Sequence, residues 1–240
     1  MDDFLTRTRL LLGDKAVETI RRQHIFVAGL GGVGSYVTES LARVGVGKLT
    51  LHDADIVSES NINRQLIALR STLGRQKTEV MRERVLDINP ECQVTTQTIF
   101  ITRETVPQII TGKFDIIIDA IDVFNCKLAL LRYAWKKGLK TYSSLGAGNR
   151  LDPTKIRSGD LFQSKNCRLG KILRKKLRKS GISEGITAVW SEEIGHAITD
   201  PESEERQRPD NGTISTIPAL FGITLAGLVI KDLVNSTKTV

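Results

Sequence analysis

The chain has 240 residues, of which 40% are hydrophobic and 26% charged, with 35 Lys and Arg against 27 Asp and Glu. That balance excludes intrinsic disorder, a collagen repeat and a coiled-coil array as descriptions of the whole chain. The formal net charge of +8 makes a polyanion such as nucleic acid a candidate partner, although a solvated surface carries such an excess too.

Two amphipathic helices are predicted first, Phe4–Leu12 and Lys15–Arg22, on either side of Gly13-Asp14. Strands and helices then alternate. The strands are His24–Leu30, Lys48–His52, Val94–Ile101, Asp115–Ala120 and Lys140–Ser144. The helices between them are Val33–Val44, Arg75–Asn89 (stopped by Pro90), Arg103–Thr111 and Asn125–Lys137. Apolar strands joined by helices predict an α/β, doubly wound, mostly parallel sheet of the Rossmann-like, nucleotide-binding kind, with right-handed crossovers. Beyond Leu151 the pattern changes to a basic helix, Lys165–Lys179, a strand at Ile186–Glu193, a polar loop at Thr199–Gly212 and an apolar helix within Ile214–Val234. The expected organisation is therefore a nucleotide-binding domain over 1–150, and a C-terminal α+β extension over 151–240 packed on it.

The last apolar stretch is interrupted by Lys231 and Asp232 and falls short of the ~20 residues of a bilayer span, so a core helix is expected. Cys92, Cys126 and Cys167 have no zinc spacing, and the acidic start Met1-Asp2-Asp3 does not read as a secretory signal. Free thiols in a cytoplasmic protein are the expectation. Cys126 is assigned a packing role, and Cys167, with no activating pattern around it, a bland one, a reactive thiol being the alternative. His24, His52 and His196 form no triad or metal spacing, and His52 is assigned a structural role.

Candidate chemistry gathers where strands end. Gly29, Gly31, Gly32 and Gly34 follow the first strand and open a helix, which lets backbone N–H groups and a helix dipole meet a phosphate. Asp53, at the end of the second strand, stands where an acid holds ribose hydroxyls. Asp55, Asn61, Arg64 and Gln65 follow it, Lys77 opens the next long helix, and Asp122 lies just past the fourth strand. Arg64 and Lys77 suit a triphosphate, and Asp122 suits Mg2+, which takes few protein carboxylates. The glycine fingerprint alone leaves an NAD-dependent dehydrogenase open.

Gly29-Leu30-Gly31-Gly32-Val33-Gly34-Ser35, the segment Asp53 to Gln65, Gly74-Arg75-Gln76-Lys77 and Asp119-Ala120-Ile121-Asp122 together resemble the ubiquitin-activating-like adenylyltransferases. That family includes the molybdopterin- and thiamine-pathway sulfur-carrier activators. Gly146-Ala147-Gly148, Leu151 to Ile156 and Asp160-Leu161 are similar to its bacterial tRNA threonylcarbamoyladenosine dehydratase branch.

The resemblance implies ATP and Mg2+ as cofactors. It implies phosphate contact by the glycine loop, ribose contact by Asp53, triphosphate contact by Asn61, Arg64 and Lys77, Mg2+ on Asp122, and Asp55 orienting these groups. It implies a homodimer in which Arg9, ahead of Arg7, reaches the neighbouring subunit's ATP. The implied catalytic set is Arg9, Arg64, Lys77 and Asp122, and the implied reaction is ATP-dependent cyclisation of threonylcarbamoyladenosine in tRNA through an acyl-adenylate. The alternative is activation of a sulfur-carrier protein, with a sulfur-transfer partner. A non-catalytic nucleotide sensor is a third reading. The paired zinc cysteines of many sulfur-carrier activators are missing here.

Lys165–Lys179 carries eight cations and no acid, with Leu169, Ile172, Leu173 and Leu177 on one face. Lys171, Arg174, Lys175 and Arg178 are the candidate tRNA-backbone residues. A solvated face and a membrane-surface helix are the other readings of that charge; overall, no membrane partner is expected.

Overall fold

The computed structural model describes residues 4–195 and 212–237. The polar loop expected at Thr199–Gly212, its last residue excepted, and His196 lie outside the described residues.

Helices α1 (Thr6–Leu12) and α2 (Asp14–Arg21) are split by Gly13, whose φ of 80° breaks the helix. The alternating units follow as β1 (His24–Ala28), α3 (Gly34–Arg43), β2 (Lys48–His52), α4 (Lys77–Ile88), β3 (Gln93–Gln97), α5 (Val106–Ile109), β4 (Ile116–Asp119), α6 (Phe124–Lys136) and β5 (Lys140–Ser144). The C-terminal part adds β6 (Ile156–Asp160), α7 (Arg168–Arg178), β7 (Ile186–Ser191) and α8 (Thr216–Ser236).

One seven-stranded sheet runs in the order β3-β2-β1-β4-β5-β7-β6. Every pairing is parallel except that of β6 with β7. The expected fold class is correct. The chain builds outward from β1 to β3 on one side, then returns to β4 and builds outward on the other. The order therefore reverses between β1 and β4, the position at which open α/β sheets form a crevice at their carboxyl edge.

Register brings the strand tips level: His52, Ala28, Asp119, Ser143 and Ala188 form one row across five strands. Both sheet faces are covered, so the strands bury both their alternating sets. Ile25 and Val27 of β1, with Ile116 and Ile118 of β4, join the core beneath α3, α4 and α8. Phe26, Ala28 and Ile117 join the core beneath α5 and α6.

The C-terminal extension is not a separate body. Its strands continue the same sheet, and α8 lies on α3 so closely that a Cβ on Gly222 would come 2.4 Å from the Val33 carbonyl oxygen. By length and composition α8 would pass for a membrane span, but Ile217, Phe221, Leu225, Ala226, Val229 and Leu233 are buried in the core. The expectation of a core helix agrees with that packing.

Several boundaries differ from the sequence reading, three of them by more than two residues. The third strand stops at Gln97 rather than Ile101. The last main-chain bond runs from Asp53 N–H to the Gln97 carbonyl, and beyond it the chain turns toward the crevice. The helix expected at Arg103–Thr111 shortens to α5, one turn with Pro107 near its start. The basic helix begins at Arg168, because Asn166 takes φ of 52° and Cys167 Sγ caps the helix by accepting from Gly170 N–H at 3.4 Å.

Candidate active site at the carboxyl edge of the sheet

A cavity of about 400 Å3 opens at the β1/β4 reversal. That volume falls in the ~300–1,000 Å3 range of small-molecule sites. Its wall includes Gly29, Gly31, Gly32, Asp53, Asp55, Arg64, Gln65, Lys77 and Asp122. Sequence motifs spread over nearly a hundred residues thus converge on one space.

The glycine loop explains its own composition. Gly29 has φ of 87°, and a Cβ there would lie 2.8 Å from the Ala120 carbonyl oxygen. Gly34 opens α3 with its Cα pressed against the loop; a Cβ would sit 1.7 Å from the Gly29 carbonyl oxygen. Gly34 therefore supports the loop from behind and does not line the cavity. No side chain caps α3 and its first turn carries no acid, so its N-terminal dipole faces the cavity rim.

Asp53 is buried and accepts two backbone hydrogen bonds, from Leu30 N–H at 2.7 Å and from Asp55 N–H at 2.9 Å. It locks the second strand tip to the glycine loop as well as lining the cavity. Lys77 is buried with its Nζ donating to Asp55 Oδ2 at 2.9 Å, so the exposed acid sets the ammonium's direction. Arg64 is half-buried; its Nη1 donates to the Ser60 carbonyl and to Asn63 Oδ1, both at 2.9 Å. Gln65 is buried, and its Oε1 has no hydrogen-bond partner among the described residues. A buried carboxamide oxygen without a partner beside a cavity is costly unless a ligand donates to it. Asp122 is exposed at the cavity mouth.

Besides Gly34, two expected site residues, Asn61 and Arg9, lie off the cavity wall. Asn61 is buried behind the wall, with its Oδ1 accepting from Ser58 N–H at 3.2 Å to close the turn that carries Arg64. Its Oδ1 is used in shaping the loop, and Asn61 does not line the cavity. Arg9 does not line the cavity of its own chain; its Nη1 donates to Asp14 at 3.1 Å.

Sequence reasoning missed part of the wall. Phe100 and Ile101 line one side, held by His52, whose Nε2 meets the Ile99 carbonyl at 2.6 Å. Burial lowers the His52 pKa below the ordinary histidine value, which favours the neutral ring in this structural role. Cys126, Ser144, Leu145, Gly146, Ala147, Gly148 and Leu169 line the other side. Burial raises the Cys126 thiol pKa and pushes Cys92 up to about 12, so neither is a ready nucleophile. Behind this wall lie Asp119 and Lys127, both fully buried and paired with each other. Burial raises the Asp119 carboxyl pKa, and the Lys127 ammonium opposes that rise.

Helix α7 borders the cavity through Leu169 and carries its cations outward. Lys171, Lys175 and Arg178 are exposed. Arg178 lies over the Phe162 ring at 5.3 Å. Arg174 is half-buried, with Nη1 donating to Ser164 Oγ at 2.5 Å, so it anchors the helix instead of standing free for a phosphate.

An open parallel sheet with a glycine loop, a ribose-level acid and convergent cations defines a phosphate- and nucleotide-binding α/β protein. More narrowly, residues 5–240 match the ThiF family, and the chain belongs to that family. It is 35% identical to a tRNA threonylcarbamoyladenosine dehydratase of Bacillus subtilis, over 97% of this chain and 95% of that protein. The Escherichia coli protein of the same name is 39% identical over 82% of this chain and 75% of its own length. Among solved structures, the E. coli tRNA N6-threonylcarbamoyladenosine dehydratase, TcdA, in complex with ATP is similar at a TM-score of 0.87 and 35% identity, covering 97% of this chain and 94% of that one.

Proposed function

We propose that this protein catalyses ATP-dependent cyclisation of N6-threonylcarbamoyladenosine in tRNA, with net loss of water, by way of an acyl-adenylate. The observation that carries the reading is the convergence of Arg64, Gln65, Lys77 and Asp122 on one cavity with the glycine loop. The similarity to tRNA threonylcarbamoyladenosine dehydratases over almost the whole chain supports the choice of substrate. Likeness to a ubiquitin-like modifier-activating enzyme of Caenorhabditis elegans spans only 47% of the chain, which favours tRNA over a carrier protein.

The chemistry begins when an oxygen of the substrate carboxylate attacks the α-phosphorus of ATP. A P–O bond forms and pyrophosphate leaves. An internal nitrogen of the modified base then attacks the acyl carbon, loses its proton, and AMP departs with the original carboxylate oxygen. The protein supplies no covalent nucleophile; it aligns the carboxylate and stabilises spreading negative charge. Arg64 and Lys77 meet the phosphates, Gln65 Oε1 accepts from the ligand, and Asp53 meets the ribose. The exposed carboxylate of Asp122 at the mouth of the cavity would hold Mg2+, an ion that takes few protein carboxylates. When bound, the ion neutralises charge on the phosphates.

Arg9 serves the neighbouring subunit's site in a homodimer. In support, Arg9 is absent from its own cavity wall, and the adjoining Leu10 and Leu11 of α1 are 83% and 82% exposed, apolar surface that a second copy would cover. Lys171, Lys175 and Arg178 meet the tRNA backbone beside the cavity mouth. The test incubates the protein with ATP, Mg2+ and threonylcarbamoylated tRNA and analyses the nucleosides by mass spectrometry. The expected result is loss of one water from the hypermodified adenosine with stoichiometric AMP. Pyrophosphate exchange with a Gly-Gly-tailed carrier protein, and none with the tRNA, would overturn the reading.

A further inference from the structure

We propose that Lys127 is a positioning residue that acts through Asp119 and Ser144 to hold the two walls of the cavity at one spacing. The proposal rests on the adenylation reading of this cavity.

Asp119 ends β4, and Lys127 lies in the first turns of α6. Between them, Ala120, Ile121, Asp122 and Val123 form one cavity wall. The Asp119–Lys127 ion pair therefore closes a loop whose outermost acid is Asp122. Asp119 Oδ1 also accepts from Ile121 N–H at 3.2 Å, which pins the loop from inside. Asp119 Oδ2 accepts from Ser143 Oγ at 2.6 Å.

The Lys127 ammonium reaches the opposite wall as well. Its Nζ donates to the Ser144 carbonyl at 2.9 Å and lies 3.5 Å from Ser143 Oγ. Ser144 begins the segment through Gly148 that lines the far side. The pinned loop also rests on the glycine loop: a Cβ on Gly29 would meet the Ala120 carbonyl oxygen at 2.8 Å. One buried ammonium thus ties the Asp122 loop, and through it the phosphate-facing glycine loop, to the wall bordering α7.

Stability alone is a weak reason for such a pair. Buried ion pairs are often replaceable by apolar residues of similar volume without loss, because desolvation offsets their attraction. Here every partner of the ammonium sits at a strand tip or at the cavity wall. An in-line attack tolerates little error, since a misplacement of about 1 Å can cost about 100-fold in rate.

The test is the double variant Asp119→Asn/Lys127→Met, which leaves no unpaired buried charge. The readouts are thermal unfolding, the KM for ATP, and kcat for AMP formation with threonylcarbamoylated tRNA. A folded variant is expected to lose about 100-fold in kcat while its KM for ATP stays within about threefold, because Asp53, Arg64 and Lys77 lie on the other side of the reversal. A merely structural pair would leave kcat unmoved, so kcat within about threefold of wild type in a folded protein overturns the proposal. Should the double variant fail to fold, Ser143→Ala keeps the ion pair and removes one charge-assisted hydrogen bond. It is expected to lose about tenfold in kcat at unchanged KM for ATP, and full kcat there overturns the proposal equally. The wild-type protein, run alongside, separates the two ideas: no AMP formation by the wild type with threonylcarbamoylated tRNA refutes the adenylation reading itself, whereas wild-type AMP formation with full kcat in Asp119→Asn/Lys127→Met refutes only the role of Lys127.

Discussion

Replacing Gly34 with Ala sets two effects of opposite sign against each other. Gly34 is the first residue of α3, and helix propensity alone gives Ala an advantage of ~1 kcal/mol over Gly. The added Cβ would lie 1.7 Å from the Gly29 carbonyl oxygen and 3.2 Å from the Ala120 Cβ. Reaching even 3.0 Å requires a shift of 3.0 − 1.7 = 1.3 Å between helix and loop. The obstacle is backbone, so no side-chain rotation relieves it, and overpacking of this kind costs ~3 kcal/mol or more. The clash wins by ~2 kcal/mol. For a chain of this size that lowers the melting temperature by ~4–8 °C, at ~2–4 °C per kcal/mol. Gly31→Ala is the control. Its Cβ would meet Gln65 Nε2 at 3.6 Å, an ordinary contact, so its melting temperature should stay within ~2 °C of wild type. Both variants should bind ATP more weakly, Gly34→Ala through the displaced loop and Gly31→Ala through a methyl group at the cavity wall. Differential scanning calorimetry and ATP titration calorimetry measure the pair. The reasoning fails if Gly34→Ala melts at or above wild type, or if Gly31→Ala is destabilised as much.

Asp122→Ala should retain the fold, because the side chain is exposed, and lose AMP formation by at least ~100-fold in a radiolabelled ATP assay. Arg9→Ala mixed with Asp122→Ala should recover part of the activity through hybrid dimers once subunits exchange; no recovery after demonstrated exchange would refute a shared site. Lys171→Ala, Lys175→Ala and Arg178→Ala combined should weaken tRNA binding and reduce the slope of log affinity against log salt by ~2–3, as filter binding across salt concentrations would report. Glu39 is held below the usual carboxylate pKa by hydrogen bonds from Arg84 and Arg43 that outweigh its burial, so its contribution is present above the unfolded pKa and lost as pH falls through the lowered folded value. Glu39→Gln should therefore cost up to ~1 kcal/mol at pH 7, and the difference in urea midpoint should shrink as the pH falls below ~4.3, the ordinary glutamate pKa; a difference that stays constant on acidification would rule out the charge as its source.

Legibility in the sequence followed the distance over which each residue acts. The alternation of β1 through β5 with helices is a local pattern, and Lys48–His52 and Lys140–Ser144 appear at their expected boundaries. The glycine loop, Asp53, Lys77 and Asp122 were legible because each sits where a strand gives way to a loop, and the sheet order then brings those ends together. The edge strand β6 was not legible. Its Ile-Arg-Ser-Gly-Asp has little strand propensity, and it becomes a strand only through antiparallel pairing with β7, about thirty residues later.

Arg150 and Lys127 were hidden for a related reason. Each looks like an ordinary surface cation in the sequence, yet Arg150 is buried, with Nη2 donating to the Asn166 carbonyl at 2.9 Å and further bonds to the carbonyls of Gly146 and Glu193. Charge composition cannot distinguish a cation that binds a ligand from one that binds carbonyls at the end of a strand. The distinction is made by register: Asp119 stands beside Ser143 because β4 and β5 pair in parallel at that level, and the Lys127 ammonium fits between them only in that alignment. Arg64 and Lys77 contact the cavity through motifs a reader can find, whereas the residues that fix its width depend on pairings between strands more than twenty residues apart. Asn61 differs, since its bond to Ser58 N–H spans only three residues: its motif position was legible, but the use of its Oδ1 to close the turn beneath Arg64 was not.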